Sequence, residues 1–276
     1  TTIYMYYNGP DLGDLSSTDT WNDNYKVVQH LQEDPSDAAP QMKDSTANGN
    51  HGTAAGGVAH ADSGPIDGAA AFDYNSTISI ANSSSLNATD YTIEMWVHTN
   101  STRDSYPTLL NRDGQSGEDG FFWIYARRAS PERLEFQYAD GAAYRMETFA
   151  DALNMDEWSH VVFTFDDATK LLSLYINGTL FDTRTLTGAL PVDDGTLYLG
   201  AYAGRIGDDT YGFEGLLDEF RFSSMAYDAD WIAATYQFMT ESGALLTFGA
   251  PEAVPEPSAL LLLALATVAV LCRRSR

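Results

Sequence analysis

One short segment in the first fifth of the sequence combines the residue types that bind a hard cation. Residues 44–53 read DSTANGNHGT, and Asp44, Asn48 and Asn50 alternate there with small residues. Ca²⁺ takes six to eight carboxylate, amide or carbonyl oxygens at about 2.3–2.6 Å, and the glycines of this segment allow the backbone to turn sharply. We therefore expect a structural calcium site that uses Asp44, Asn48 and Asn50. The alternative is that Asp44 and Asn50 only cap turns through side-chain to backbone hydrogen bonds.

No arrangement of catalytic residues accompanies this segment. A retaining glycosidase needs two facing carboxylates about 5–5.5 Å apart, which a strand supplies through acids at alternate positions. Glu214, Asp218 and Glu219 are close in sequence but have other spacings, and Glu94 stands alone in its strand pattern. The sequence also has no Gly-x-Ser-x-Gly, His-Glu-x-x-His or phosphate-loop motif. We predict a protein that is not an enzyme, with a glycoside hydrolase as the less favoured alternative.

Tyrosines in turn-rich stretches are the candidates for ligand contact. An aromatic ring with polar neighbours suits sugar recognition, and Arg112 lies in the polar stretch NRDGQSGEDG that could form a rim. Trp96, Trp123 and Trp158 lie inside strand patterns, so we predict that they belong to the core. For each tyrosine the alternative is packing against a neighbouring loop. The predicted ligand-binding residues are Tyr106, Arg112, Tyr144, Tyr202 and Tyr211.

The C-terminus combines a proline-rich motif, an apolar run and arginines. Val254, Pro255, Glu256 and Pro257 precede the apolar residues 259–272, after which come Arg273, Arg274 and Arg276. A full bilayer crossing takes about 20 apolar residues, so this run would have to thin the bilayer or recruit its flanks. The arginines favour the cytoplasmic side. We expect a single-pass hydrophobic helix that leaves the preceding residues outside the cytoplasmic membrane.

The elements that must position these residues are predominantly strands. From residue 70 onward about ten short runs rich in β-branched and aromatic residues, such as YTIEMWVHT and SHVVFTFD, alternate with turn residues such as Asn177–Gly178. This pattern predicts an all-β jelly-roll sandwich of two antiparallel sheets. Residues 231–239 have helical spacing and predict one short terminal helix. Residues 33–60 are poor in large apolar residues, which predicts an ordered loop region.

Charge and cysteine content narrow the possible partners. The chain of 276 residues has 39 acidic and 15 basic residues, a formal net charge of −24. Because phosphates would be repelled, this balance argues against a nucleic-acid partner. Cys272 is the single cysteine and lies in the C-terminal run, so the preceding residues cannot form a disulfide or a thiolate metal site.

Four segments in order give the chain a resemblance to the laminin-G-like, concanavalin A-like jelly-roll family. They are the turn at residues 44–53, YTIEMWVHT at 91–99, the Trp-x-His strand and hairpin at 157–181, and FEGLLDEFRF with its following helix at 213–236. The resemblance covers about residues 25–240. It implies that the Asp218–Glu219 pair meets the turn at a calcium ion. Because adjacent strand side chains point to opposite faces, we favour Asp218, with Glu219 second and free to pair with Arg221.

The C-terminus resembles the PEP-CTERM sorting signal, through VPEP at 254–257, the apolar run and the arginines. This resemblance implies export, recognition by a membrane-embedded exosortase and cleavage near the Pro-Glu-Pro motif. The alternative is a plain anchor that is never cut. Residues 1–9 are similar to the last strand of a domain that precedes such jelly rolls. The predicted divisions are 1–24 as a remnant and linker, 25–240 as the jelly roll, 241–253 as a spacer and 254–276 as the sorting segment.

Together these features predict a binding module in the cell envelope or at the cell surface. Its expected partners are a surface or matrix polysaccharide or a glycoprotein, an exosortase-like enzyme, and the membrane through the C-terminal segment. A structural or protein-interaction module of the envelope or biofilm matrix, without a sugar site, is the alternative of a different class, since one fold serves both functions.

Overall fold

The structure, a computed structural model, describes residues 17–99, 106–113, 122–127, 132–140, 143–154, 156–188, 190, 195–201 and 210–241. The chain divides into two compact units, Thr1–Thr240 and Glu241–Arg276, and apart from Glu241 the described residues belong to the first. The strand-like residues 1–9, the predicted C-terminal hydrophobic helix and the sorting segment lie outside these ranges.

The described residues form fifteen strands and one α-helix, where the alternating pattern predicts about ten strands from residue 70 onward. In chain order the strands are β1 Tyr25–Gln29, β2 Gly52–Ala55, β3 Ala59–Ala61, β4 Ala69–Phe72, β5 Thr77–Ile80, β6 Tyr91–Thr99, β7 Thr108–Asp113, β8 Phe122–Arg127, β9 Arg133–Ala139, β10 Tyr144–Ala150, β11 Ser159–Asp166, β12 Leu171–Ile176, β13 Thr179–Thr185, β14 Thr196–Leu199 and β15 Gly215–Ser223. The helix, α1, is Ala229–Thr240.

The strands form two antiparallel sheets. The first sheet has the order β13-β12-β11-β6-β15-β4-β3, and the second has the order β10-β9-β8-β7-β14-β5-β2. One edge of β15 is shared, because β4 pairs with its first residues and β1 pairs with Phe220–Ser223. The hairpin between β12 and β13 turns at Asn177 and Gly178 with φ of 49° and 74°. Positive φ at both positions is the reason for the Asn-Gly pair.

The main hydrophobic core contains inward-facing residues of strands from both sheets. Phe163 and Phe165 of β11, Phe136 of β9 and Phe222 of β15 are all buried there. Each fully buried side chain of this kind contributes about 1.5–3 kcal/mol. The prediction of a two-sheet jelly-roll sandwich is confirmed.

A second, smaller apolar cluster lies under α1. It joins Tyr25 and Val28 of β1 to Val162 of β11 and to Ile232 of the helix. The helix begins after Asp228, whose Oδ1 accepts a hydrogen bond from the Trp231 backbone N–H at 2.9 Å, which satisfies one of the unpaired donors of the first turn. Thus α1 covers the outer side of the first sheet, opposite the main core.

The loop region predicted at residues 33–60 contains two short strands. All of β2 pairs with β5, and β3 pairs with β4. Gly52 approaches so closely that an added Cβ would lie 2.7 Å from Ile78 Cγ2. Small residues therefore serve here to let strands pack tightly, and a pattern based on large apolar residues does not detect them.

Candidate functional site

The turn at residues 44–50 is organised around a buried carboxylate. Asp44, 5% exposed, accepts hydrogen bonds on Oδ1 from the backbone N–H groups of Val28 (2.9 Å) and Thr46 (3.0 Å). Its Oδ2 accepts from Thr46 Oγ1 (2.8 Å) and from the Asn50 N–H (2.8 Å). A carboxylate has about four lone-pair sites, so all of them meet N–H or O–H donors. Asp44 therefore links the turn to β1 through hydrogen bonds, and these bonds leave no lone pair for a cation.

The predicted asparagine ligands make the same kind of contact. Asn48 Nδ2 donates to the Tyr25 carbonyl at 3.1 Å, and Asn50 Nδ2 donates to the Lys26 carbonyl at 2.7 Å and to Ser85 Oγ at 2.8 Å. These bonds tie the turn to β1 along its length. The alternative of turn-capping hydrogen bonds describes the geometry found at Asp44.

Asp218 and Glu219 lie on a β-bulge in β15. In the pairing with β6, Asp218 is opposite Trp96 and Arg221 is opposite Glu94, so β15 has one extra residue. Glu219 has a φ of 51°, as expected for the extra residue of a bulge. Leu217 and Phe220 on either side both enter the main core. The two acids therefore both lie outside that core, and the prediction that strand alternation separates them is wrong.

Asp218 is the acid of this pair with an unused oxygen. Its side chain is fully buried; Oδ2 accepts from the Ile66 N–H at 3.1 Å. Oδ1 has no hydrogen-bond partner within the described part of the chain. Burial raises the pKa of Asp218 to about 7. At Gly64 an added Cβ would lie 2.9 Å from Asp218 Oδ2, so only glycine permits this approach.

Glu219 instead belongs to an ion network beneath α1. Its Oε1 is 2.6 Å from His30 Nδ1, and its Oε2 accepts from Arg221 Nη2 at 2.6 Å. Arg221 Nη1 contacts Glu94 Oε1 at 3.3 Å, and His160 Nε2 lies 3.0 Å from the same oxygen. Burial alone would raise the pKa of Glu219, but the hydrogen bond from His30 and the charge of Arg221 hold it below its usual value. The predicted pairing of Glu219 with Arg221 is found.

Two of the predicted ligand-binding tyrosines lie side by side on the second sheet. Tyr106 and Tyr211 have ring centroids 6.1 Å apart with an interplanar angle of 28°, and Tyr125 of β8 meets Tyr106 edge to face at 5.7 Å. The two segments are joined by Tyr106 N–H to Thr210 carbonyl at 2.8 Å and Thr108 N–H to Tyr211 carbonyl at 2.9 Å. We call Tyr106, Tyr125 and Tyr211 the tyrosine cluster.

An arginine completes this cluster. The guanidinium carbon of Arg127 lies 4.0 Å from the centre of the Tyr106 ring, a cation–π contact. The same guanidinium reaches Glu135 Oε1 at 3.4 Å. In β8, Ala126 enters the main core, so its neighbours Tyr125 and Arg127 lie on the opposite side of the sheet. In β9, Leu134 enters the core, so Glu135 lies on that same outer side. Alternation along FWIYAR and RLEFQYA carries this signal in the sequence.

A second aromatic pair lies farther along the same outer face. Tyr144 of β10, 47% exposed, packs against Trp123 of β8 with ring centroids 5.6 Å apart. Trp123 is 3% exposed but is not part of the core between the sheets, so its assignment to that core is corrected. Trp96 also lies on an outer face, against His160 and Tyr236 of α1.

Arg112 does not belong to either aromatic group. It is 1% exposed, and its guanidinium donates to the Leu86 carbonyl at 2.7 Å and to Asn87 Oδ1 at 2.8 Å. Arg112 therefore lies within the domain, and the structure contradicts its assignment to a solvent-facing rim. Tyr202 and the sorting residues Val254, Pro255, Glu256, Pro257, Arg273 and Arg274 lie outside the described ranges.

Two further findings concern metals and membranes. In the ranges that the structure describes, no three His, Cys, Asp or Glu side chains are grouped so that they could hold a metal ion. Across those ranges there is also no helix with both the length and the apolar character needed to cross a bilayer.

Comparison with known proteins agrees with this geometry. A family model described as the concanavalin A-like lectin/glucanases superfamily matches residues 72–233, and a model of the PEP-CTERM protein-sorting motif matches residues 253–276. No curated protein matches the sequence.

Several solved structures share the fold. Domain 4 of AbnA, a GH43 extracellular arabinanase from Geobacillus stearothermophilus solved in complex with arabinotriose, is similar at 20% identity and a TM-score of 0.57, over 78% of this chain and 100% of that domain. The binding domain of Paraclostridial Mosquitocidal Protein 1 is similar at 17% identity and 0.58, over 78% of this chain and 52% of that one. The binding domain of botulinum neurotoxin DC, solved with rat synaptotagmin II, gives 13% and 0.59, over 79% and 52%. This chain thus spans about half the length of the toxin domains.

Proposed function

This chain belongs to the concanavalin A-like lectin/glucanases superfamily, and from that premise we propose that it is an exported, non-catalytic module that binds a carbohydrate of the cell surface or its matrix. The observation that carries the proposal is the tyrosine cluster with Arg127 on the outer face of the second sheet. Rigid aromatic rings with an adjacent polar donor offer both the apolar face and the hydrogen bonds that a sugar ring requires. The arabinanase domain solved with arabinotriose supports this choice of ligand class.

The absence of enzymatic activity is part of the same proposal. The buried acids Glu94 and Glu219 both contact Arg221, so their charges are committed to an ion network beneath a helix. A hydrolase would instead need two carboxylates facing a sugar across a groove. The similar toxin structures are binding domains by name, which further favours binding over catalysis.

Tyr211→Ala is expected to weaken glycan binding by about tenfold or more, because losing a central aromatic contact costs at least about 1.4 kcal/mol. A glycan array identifies the oligosaccharides that the wild type retains, and titration calorimetry then compares the variants. Phe181→Ala, on the edge strand β13 of the other sheet and 40% exposed, is the matched control and should bind as the wild type does. An array on which the wild type retains no glycan overturns the proposal.

A protein-interaction module is the second candidate, and one observation favours it. The strand β13 lies at the end of the first sheet, and its Leu180 and Phe181 are 48% and 40% exposed. Exposed apolar side chains on an edge strand are a typical surface for pairing with another chain. If this candidate is right, Phe181→Ala weakens capture of a matrix glycoprotein, whereas Tyr211→Ala leaves that capture unchanged.

We propose that the C-terminal segment first anchors the protein as a single-pass helix and is then cut by an exosortase-type enzyme. The match to the sorting motif at residues 253–276 supports export and sorting to the surface. The prolines of the motif hold the chain extended and interrupt helix formation, which makes the bonds near them accessible to a processing enzyme.

The mature protein is therefore expected to end near Pro257. Mass spectrometry of the protein recovered from the surface of its own host should find a chain that lacks the apolar run. The variant Pro255→Ala/Glu256→Ala should instead keep its full mass and stay in the membrane fraction. Recovery of wild-type protein with Arg276 still attached contradicts cleavage and leaves only the anchor.

We also propose a structural calcium ion, bound at Asp218. The buried Oδ1 of Asp218 lacks a donor among the described residues, and an uncompensated buried carboxylate is costly unless a cation or a proton joins it. The carbonyl-bearing loop at residues 64–68 packs against this acid. Asp44, Asn48 and Asn50 would contribute only by holding the neighbouring turn.

A further inference from the structure

We propose that the outer face of the second sheet selects anionic saccharides, and that Arg133 binds their carboxylate groups. This inference rests on the proposed carbohydrate-binding function and specifies the ligand class. Three residues carry it. They are Arg127 and Arg133, which we call the arginine pair, and the carboxylate of Glu135.

The arginine pair is held by one buried acid. Glu135 is 2% exposed, and its Oε1 lies 2.6 Å from Arg133 Nε and 3.4 Å from Arg127 Nη1. Arg127 and Arg133 are directly opposite each other in the pairing of β8 with β9. Like charges directly opposite each other on neighbouring strands are destabilising. The sequence places them there nevertheless, with a carboxylate buried beside them, which fixes both guanidinium groups in position.

Arg133 presents the donors that a carboxylate needs. Its Nε is bound to Glu135, whereas Nη1 and Nη2 form no hydrogen bond within the part of the chain that the structure describes. The side chain is 23% exposed. A guanidinium offers parallel N–H donors whose spacing matches the two oxygens of a carboxylate. Arg133 thus has a pre-oriented edge on which a uronate can bind through two hydrogen bonds.

The tyrosine cluster adjoins this edge. Arg127 is opposite Arg133 in the sheet and lies 4.0 Å above the Tyr106 ring, and Tyr211 lies beside Tyr106. A saccharide that contacts Tyr211 would therefore extend toward the arginine pair. The combination of an aromatic surface with a guanidinium edge suits a sugar ring that carries a carboxylate, whereas a neutral sugar would use only the aromatic part.

Local charge also distinguishes the surroundings of the arginine pair from the rest of the molecule. The described residues there, Arg127, Glu132, Arg133 and Glu135, balance two positive against two negative charges, within a chain whose formal net charge is −24. Because repulsion from distant acids is screened over about 8 Å at physiological ionic strength, contacts around the arginine pair dominate the binding of an anionic sugar. Its affinity should therefore fall as salt rises.

The test compares uronate trimers with their own carboxyl-reduced counterparts, which keep the ring and linkage but lack the charge. Titration calorimetry of the full chain would use galacturonate, guluronate and glucuronate trimers. At least one trimer should bind about tenfold or more tightly than its reduced form, since charge-assisted hydrogen bonds are about twice as strong as neutral ones. Arg133→Gln should abolish this preference and retain the weaker binding of the reduced trimer. Arg133→Lys keeps the charge without the fork and should fall between the two.

Arg145→Gln is the matched control, because Arg145 is an exposed arginine of the neighbouring strand β10, opposite Tyr138 near the other end of β9 and paired with Asp140 at 2.7 Å. It should keep the full preference. Equal binding of every uronate trimer and its reduced form overturns this inference while leaving carbohydrate binding intact. An unchanged preference in Arg133→Gln, with wild-type thermal stability, also overturns it. Failure of every trimer, together with an empty glycan array, removes the proposed function as well.

Discussion

Replacing Arg221 by methionine is expected to lower the free energy of unfolding by about 3–5 kcal/mol, the cost typical of removing one partner from a buried ion pair. Arg221 is 6% exposed and contacts both Glu94 and Glu219. Without Arg221, the buried carboxylates of Glu94 and Glu219 both lose the positive charge that they contact. Methionine keeps much of the side-chain volume, so the loss reports charge rather than a cavity.

The acids of this network depend on Arg221 for their ionisation. Burial would raise the pKa of Glu94, which is 3% exposed, but the Arg221 charge and the His160 hydrogen bond hold that pKa below its usual value. Ionised Glu94 therefore stabilises the wild type above the unfolded pKa, and this contribution is lost as pH falls through the folded pKa. In Arg221→Met the pKa of Glu94 rises, so the difference from wild type should be largest near neutral pH and shrink in acid.

Urea unfolding with an unchanged m-value measures the effect. Arg184→Met is the control, because Arg184 pairs with Asp182 and Glu147 at a half-exposed edge, where such pairs contribute about 0–1 kcal/mol. The double variant Glu94→Gln/Arg221→Met should be less destabilised than the sum of its single variants, since the two side chains interact. A cost below about 1 kcal/mol for Arg221→Met would show that the network does not hold the sheet and α1 together.

Local patterns were sufficient to predict most of the long strands, because the evidence for each of these strands lies within its own residues. SHVVFTFD alternates, and β11 is Ser159–Asp166. Asn177–Gly178 predicts a tight hairpin, and both residues have positive φ. The segment at 231–239 predicts a helix, and α1 extends over Ala229–Thr240. In each of these cases side-chain type and backbone conformation are coupled over a few residues.

The bulge at Asp218–Glu219 could not be predicted in this way. It occurs where one edge of β15 passes from β4 to β1, and the nearer of those strands, β4, ends at Phe72, far along the chain from the start of β15 at Gly215. Strand alternation assumes an unbroken ladder, so it placed the two acids on opposite faces. The geometry depends on which distant strands pair, and a local pattern contains no such information.

The sequence also did not predict which face of its sheet each side chain occupies. Arg112 of β7 is directed to the Leu86 carbonyl, whereas Trp123 of the neighbouring strand β8 lies outside the main core. A long polar side chain near loop-forming residues predicted exposure, and an aromatic residue in a strand predicted the core. Each expectation ignored that a jelly roll has buried surfaces on more than one side of a sheet. The ligand-binding candidates that did come together, Tyr106 and Tyr211, were brought together by tertiary contacts.

Asp44→Ala is expected to cost about 3–5 kcal/mol, because three backbone N–H groups lose their acceptor and each unpaired buried donor costs about 1–3 kcal/mol. Those donors belong to Val28, Thr46 and Asn50, and all three residues are buried. Asp44→Asn retains one oxygen and should cost about half as much. Asp166, whose Oδ1 accepts one bond from Thr169 in an exposed turn, provides the control, and Asp166→Ala should cost less than about 1 kcal/mol.

The same set of proteins tests whether calcium acts at Asp218 instead. The Asp44→Ala deficit should be equal in calcium and in EDTA, because Asp44 acts through hydrogen bonds. Calcium should raise the Tm of wild type, since a ligand that binds only the folded state stabilises it, but should leave Asp218→Asn unchanged. In EDTA, the raised pKa of Asp218 means that wild type gains stability as pH falls from about 7 toward 4, whereas Asp218→Asn loses this dependence.

Three outcomes separate the two acids. If the Asp44→Ala deficit disappears in EDTA, Asp44 is a metal ligand and the hydrogen-bonded turn is not its main role. If calcium stabilises wild type and Asp218→Asn equally, the ion binds elsewhere. If calcium has no effect on any variant while the Asp44→Ala deficit persists, hydrogen bonds alone hold the turn, without a metal ion. The carboxylate of Asp44 then performs the ordering that the family resemblance assigns to a metal, with four donors in place of a cation.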